Sequence, residues 1–168
     1  MDGYWTEGYP KLSSQGGDGG NDNHGLVAHG LSVISNAPSV FRFTGTPGMI
    51  GDPVAERYSR DRHVECAMIT ANARMQRQAD DGSLSNAATI PSEKAMRDQP
   101  GEALANELLE MMHLLKIPVG IRSLGYDESH VDDLAKGTLP QHRVTKLSPR
   151  QPVELDELRG LFLDALDG

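Results

Sequence analysis

Hydrophobic residues at helical spacing constrain the fold of this chain more than any other feature. Between His63 and Met75 the apolar side chains recur at i, i+3, i+4, i+7 and i+11, which is the pattern of an amphipathic helix. A second apolar stripe lies within Glu102–Lys116, and its members are Leu104, Leu108, Met111, Met112 and Leu115. No stretch shows the sustained apolar–polar alternation of a strand. The pattern therefore predicts an all-α fold, a helical bundle.

Prolines and glycines predict where the helices stop. Pro38 is expected to kink or end the apolar helix around it. Thr44–Pro53 holds three Gly and two Pro, which is typical of a loop. Residues 76–100 are polar and irregular, so we expect an exposed excursion with one short turn near Glu93–Arg97. Residues 138–152 carry three Pro and are expected to be extended.

Two further helices complete the prediction. Asp127 is a good N-cap residue for a short helix, and Gly137 is expected to close that helix. Pro152–Leu166 has an apolar face and is predicted to form the last helix of the chain.

Glycine content divides the chain of 168 residues into two regions. Six of the 18 Gly lie before His24, so residues 1–24 are predicted to form a Gly-rich, irregular and flexible segment. Residues 25–168 are predicted to form a single all-helical domain.

Charge and apolar runs exclude several classes of protein. The chain carries 16 basic and 24 acidic residues, a balance that argues against nucleic-acid binding and against a polybasic membrane-surface protein. No apolar run approaches the roughly 20 residues that span a bilayer. The first residues have neither a signal peptide's apolar core nor a transit peptide's composition, so we expect no targeting segment. The single cysteine, Cys66, is expected to be a small buried hydrophobe.

Histidines are the candidate metal ligands. His29 lies in a strongly apolar segment, where an imidazole satisfies its ring nitrogens through hydrogen bonds in the core or through a metal. From the residues alone both interpretations stay open, and the hydrogen-bonded core histidine is the commoner case. His63 and His113 fall on predicted helices and are interpreted as structural. No HExxH, CxxC or acidic cluster indicates a self-contained metal site.

A local basic cluster is the second candidate site. Arg143, Lys146 and Arg150 lie close together in an otherwise acidic sequence. Such a cluster can bind a carboxylate or a cofactor phosphate, although a surface loop with ordinary salt bridges has the same composition. No GxGxxG or GxxxxGK[ST] motif provides a phosphate-binding loop.

Two stretches resemble one enzyme family. HGLSV at His29–Val33, continuing as APSVFRFT at Ala37–Thr44, resembles the "HGLSV…PxVFxFT" segment of iron-containing alcohol dehydrogenases. KGTLPQHRVTKL at Lys136–Leu147 is similar to a segment of the hydroxyacid-oxoacid transhydrogenase branch of that family. The resemblance covers about residues 25–168, and residues 45–60 and 76–99 are longer than the family's pattern.

The resemblance implies the C-terminal, all-helical part of a two-domain enzyme. In the family the other domain binds a nicotinamide cofactor through a Gly-Gly-Gly-Ser loop, and no such NAD site is found in this chain. Fe²⁺ or another divalent metal is held by one Asp and three His, and the last of these ligands falls on His29. No residues of this chain match the other three ligands.

The implied reaction is hydride transfer between 4-hydroxybutyrate and 2-oxoglutarate. Because both are small anionic acids, Arg143 and Lys146 are expected substrate contacts. We expect no activity until the missing N-terminal domain or a full-length homologue is supplied. The alternative is a non-catalytic helical module that docks on a full-length homologue or on another protein. By resemblance the location is mitochondrial, with the cytoplasm as the alternative.

Overall fold

The computed structural model describes residues 29–80, 82, 90–141 and 145–168. The described part of the chain is helical and contains no strand, which confirms the all-α prediction. Its α-helices are α1 His29–Thr44, α2 Pro53–Asp80, α3 Glu93–Asp98, α4 Pro100–Leu114, α5 Val131–Thr138 and α6 Leu155–Ala165. Two short 3₁₀ helices, Ile121–Leu124 and Glu128–His130, precede α5. The predicted Gly-rich segment 1–24 lies outside the described residues.

Helix α1 continues through Pro38, so of the two predicted effects, a kink or an end, the proline does not end the helix. A proline inside a helix removes one backbone hydrogen bond. Here Pro38 is buried, and the adjacent Ser39 hydroxyl donates a 2.7 Å hydrogen bond to the carbonyl of Leu161 on α6. Packing and this contact between helices hold the backbone helical across the proline. The helix is not buried on every side, because Val33 and Val40 are exposed.

Helix α2 extends beyond its predicted span at both ends. Residues 53–60, expected to belong to an insertion, form its first two turns. Glu56 organises the preceding loop, since its carboxylate accepts hydrogen bonds from the backbone N–H groups of Gly48 and Ile50. At the other end the helix runs to Asp80 instead of stopping at Met75. Part of the predicted excursion after Met75 is therefore helical.

Two small apolar cores hold the helices together. Val64 and Ala67 of α2 pack with Met96 of α3 and Leu104 of α4 in the first core. The second core joins the region around α5 to the end of α6, and its buried members are Ile121, Val131, Ala165 and Leu166. Helix α1 lies between them and contacts both α4 and α6.

The start of α5 follows the prediction, and its end does not. The Asp127 carboxylate accepts a hydrogen bond from the backbone N–H of Ser129 and caps the 3₁₀ turn that leads into α5. Gly137 lies inside α5, which continues to Thr138, so this glycine does not close the helix. No helix in the described residues is long and apolar enough to cross a membrane.

Candidate functional site

His29 is the first residue of α1, and its side chain is exposed. The interpretation of His29 as a hydrogen-bonded core histidine is therefore wrong. The carbonyl of His29 accepts a 2.9 Å hydrogen bond from the hydroxyl of Ser32. Within the described ranges, no group of three or more His, Cys, Asp or Glu side chains could hold a metal ion. Because stable Fe²⁺ binding needs several ligands, these residues do not fit the metal by themselves.

His63 is buried between α1 and α2, and both of its ring nitrogens are used. Nδ1 lies 2.7 Å from the carbonyl oxygen of Ser59, and Nε2 lies 3.1 Å from the hydroxyl of Thr44. Since a carbonyl only accepts, Nδ1 donates. The ring of Phe41 packs edge-on against the imidazole. This arrangement agrees with the structural interpretation of His63, whereas His113 is exposed at the end of α4.

The structure describes two of the three basic residues, Lys146 and Arg150. Arg143 lies outside the described residues. The side chain of Lys146 is exposed and follows the buried Thr145. Arg150 packs against the end of α1: its guanidinium lies 4.0 Å from the centroid of the Phe43 ring and donates a 3.2 Å hydrogen bond to the Phe43 carbonyl. Arg150 is therefore the positioned member of the described pair.

A surface groove of about 450 Å³ lies where Arg150 meets α1 and α6. Arg42 of α1 lines it and binds two carboxylates, Glu102 of α4 at 2.9 Å and Asp164 of α6 at 3.1 Å. Arg42 was not predicted from the sequence as a member of any site. Its carboxylate partners lie 60 and 122 residues away in the chain, so helical periodicity carries no signal of these ion pairs.

Cys66 is exposed on α2, so the expectation that it is a buried hydrophobe is wrong. The buried face of this helix is formed by Val64, Ala67 and Ala71, and Cys66 lies on the outward side of that stripe.

Sequence comparison shows that the chain is similar to part of several named enzymes. It is 38% identical over 141 residues to the probable hydroxyacid-oxoacid transhydrogenase of Dictyostelium discoideum, a match that covers 84% of this chain and 20% of the relative. The hydroxyacid-oxoacid transhydrogenases of Bos taurus and Homo sapiens are both 34% identical to the chain, over 142 and 143 residues respectively. Each match covers 84% of this chain and 24% of the relative. The chain is a partial relative of the hydroxyacid-oxoacid transhydrogenases. All three relatives are named as mitochondrial proteins.

This relationship confirms the transhydrogenase branch and the partial extent that the motifs implied. The chain spans about a fifth to a quarter of the length of these curated relatives. No family model and no solved structure matches the chain. Of the two transhydrogenase-like motifs, HGLSV opens α1 and KGTLPQ begins at Lys136 near the end of α5.

Proposed function

We propose that this chain acts as the helical part of a hydroxyacid-oxoacid transhydrogenase. The reaction is hydride transfer between 4-hydroxybutyrate and 2-oxoglutarate. The observation that supports the proposal is the match to named transhydrogenases over 84% of the chain at 34–38% identity. The regions that correspond to the rest of those relatives supply the NAD site. The relatives' names favour a mitochondrial location over a cytoplasmic one.

His29 is proposed as one ligand of Fe²⁺ or another divalent metal. Its place on α1 supports this role, because the far half of the helix is anchored. Ser39 is bound to α6, Arg42 to α4 and α6, and Thr44 to His63 of α2. The opposite end of α1 carries the exposed His29. A histidine at the exposed end of an anchored helix has a fixed position, so metal ligands from another part of the enzyme can join it around one metal ion.

Arg143 and Lys146 are proposed contacts for the substrate carboxylates. Both substrates are anionic, and a guanidinium or an ammonium group binds a carboxylate through charge-assisted hydrogen bonds. The exposed side chain of Lys146 supports its part of the proposal, since it is accessible to a ligand or to another protein region.

A segment-exchange experiment tests the proposed function. The matching 141-residue segment of the Dictyostelium discoideum relative is replaced by this chain, and the transhydrogenase rate and bound metal are measured. We expect the exchanged protein to be active. His29→Ala is expected to lose the bound metal and to lower the transhydrogenase rate about 100-fold or more. The control His113→Ala is expected to change that rate by less than about twofold. Unchanged activity and metal content in His29→Ala would refute the ligand role.

A non-catalytic docking module is the second candidate function. It is favoured by apolar residues on the outward face of α2, where Val54, Tyr58 and Ile69 are 73%, 66% and 62% exposed. Exposed apolar side chains of this kind contribute to many protein interaction sites. Size-exclusion chromatography of the chain with a full-length relative tests it: co-migration that Ile69→Lys abolishes is the expected result, and separate elution counts against docking.

A further inference from the structure

A row of exposed side chains runs along the side of α2 that faces away from the first core. The opposite side of this helix packs on α3 and α4 and carries the buried Val64, Ala67 and Ala71. Successive members of the exposed row are 4, 4, 3, 4 and 4 residues apart, so they share one face of the helix. The members of the row are Val54, Tyr58, Arg62, Glu65, Ile69 and Ala73.

The large apolar members of the row are Val54, Tyr58 and Ile69, and each is more exposed than buried. One exposed apolar side chain is ordinary on a protein surface. Three on one face of a single helix form an apolar stripe, and an apolar stripe on a helix is normally covered by another element. The face therefore has the composition of a helix–helix contact.

The centre of the row carries one positive and one negative charge. Arg62 and Glu65 form an ion pair at 2.6 Å, and their side chains are 54% and 49% exposed. The guanidinium of Arg62 also lies 5.6 Å from the centroid of the Tyr58 ring. A guanidinium has five N–H donors and a carboxylate accepts about four hydrogen bonds, so the pair within one helix leaves capacity for a second pair across a contact.

The order of the row fits a second copy of the same row. A two-fold axis midway between Arg62 and Glu65 reverses the order of its members. Two antiparallel α2 helices then place Tyr58 against Ile69 of the second copy and Arg62 against Glu65 of the second copy, and the outermost members, both apolar, also meet. A parallel pair would instead bring each charge against its own kind. The charges therefore favour the antiparallel arrangement.

We propose that the chain self-associates through this face of α2, as a two-fold pair of antiparallel helices. From Val54 to Ala73 the face is about 28 Å long, and a helix with its side chains is about 10 Å wide. A strip of this size is smaller than the roughly 800 Å² per partner of a standard interface. The dimer is therefore weak and depends on concentration, with a Kd on the order of 100 μM. It shares its face with the docking candidate above and differs from it in the occupant, which is a second copy of this chain.

Sedimentation equilibrium of the whole chain from about 10 μM to about 1 mM tests the proposal. The net charge of −8 makes two copies repel each other, so the solution contains about 0.15 M salt, where the screening length is about 8 Å. We expect a monomer–dimer equilibrium. Ile69→Lys is expected to weaken it about tenfold or more, because an ammonium group then faces Tyr58. Leu163→Lys, at a half-exposed leucine of α6, is the matched control and is expected to leave it unchanged.

Exchange of the two charges provides a second, independent measurement. Arg62→Glu places Glu against Glu across the axis, and Glu65→Arg places Arg against Arg, so each variant is expected to self-associate about tenfold more weakly. A mixture of these two variants is expected to form a heterodimer, because every contact across the axis then joins opposite charges. The chain that carries both substitutions is expected to self-associate within about threefold of the wild type. Damage to the fold would not be repaired by mixing.

A chain that stays monomeric at about 1 mM would overturn the proposal. Self-association that Ile69→Lys leaves unchanged, or that the two charge variants retain at full strength or fail to recover on mixing, would also overturn it. A monomeric chain that binds a full-length relative through Ile69 would assign the face to that partner instead. These measurements involve neither metal nor hydride transfer, so their outcome is independent of the segment-exchange assay.

Discussion

The buried ion pair between Arg74 and Glu107 joins α2 to α4. The guanidinium contacts both carboxylate oxygens, at 2.9 and 3.2 Å, and the two side chains are only 7% and 5% exposed. Removing one partner of a buried pair leaves an uncompensated charge away from water. We expect Glu107→Gln to lower the free energy of unfolding by about 3 kcal/mol, measured by urea denaturation.

An exposed Arg–Glu pair on α2 provides the matched control. Arg62 and Glu65 are 54% and 49% exposed, so Glu65→Gln is expected to change the free energy of unfolding by less than about 1 kcal/mol. The double variant Arg74→Met with Glu107→Leu is expected to lower the free energy of unfolding less than Glu107→Gln alone does, because it leaves no unpaired charge. Equal effects of Glu107→Gln and Glu65→Gln would contradict this account.

Asp132 links α5 to α6 and gives the stability a dependence on pH. Hydrogen bonds from Arg159 and Lys136 hold the pKa of this carboxyl below its ordinary value of 3.8. A lowered pKa in the folded state means that the stabilisation is complete above pH 3.8 and is lost as the pH falls through the folded-state pKa. The melting temperature of Asp132→Asn should therefore be lower than that of the wild type, and the difference should be the same at pH 7 and pH 5.

Below about pH 3.8 the two melting temperatures should converge. Asp133→Asn is the control, because Asp133 is exposed beside Asp132 and none of the described ion pairs includes it. A difference between Asp132→Asn and the wild type that is as large at pH 3 as at pH 7 would show that charge pairing is not its cause.

Sequence reasoning at the residue scale identifies residue types and not their partners. It correctly interprets Asp127 as a helix cap, because capping is a contact between neighbours in the sequence. It does not find the pair Arg74–Glu107, whose members are 33 residues apart, nor the position of Arg150 on Phe43, across 107 residues. These contacts depend on how the helices cross, which local spacing does not encode.

Two glycines lie in close contact where the end of α1 meets the start of α4. A Cβ atom on Gly45, directly after α1, would lie 2.4 Å from the Cα of Gly101 at the start of α4. We expect Gly45→Ala to lower the free energy of unfolding by about 2 kcal/mol, because α1 and α4 must move apart to admit the methyl group. Urea denaturation measures the change.

Gly137 is the matched control, because a Cβ atom there would meet open space inside α5. Gly137→Ala is expected to raise the free energy of unfolding by up to about 1 kcal/mol through helix propensity. A Gly45→Ala protein as stable as the wild type would show that α1 and α4 do not depend on this contact.

At the scale of elements, the periodic helices are the ones that sequence predicts best. Helix α4 begins two residues before the predicted Glu102, and its apolar stripe includes the buried Leu104 and Met112. Helix α1 passes Pro38 because tertiary contacts compensate for the proline. The last turn of α2 was not predicted because its residues are polar, and it is held by local contacts such as the Gln76–Asp80 hydrogen bond.

At the scale of the whole molecule, the described part of the chain has two apolar cores and an exposed candidate metal ligand, His29. The first core joins α2, α3 and α4, and the second holds the end of α6 against the region around α5. His29 projects from α1 at the exposed end of that helix. The sequence motifs identified the transhydrogenase branch, but they could not show that His29 is exposed rather than buried.

We propose that this chain supplies one part of a transhydrogenase and needs another part for activity. The most direct test is a two-piece assay of hydride transfer from 4-hydroxybutyrate to 2-oxoglutarate. It compares this chain alone, the Dictyostelium discoideum relative without its matching segment, and the two mixed. We expect activity in the mixture and none in either piece. Full activity of this chain alone, or a mixture that forms a complex without any activity, would contradict it.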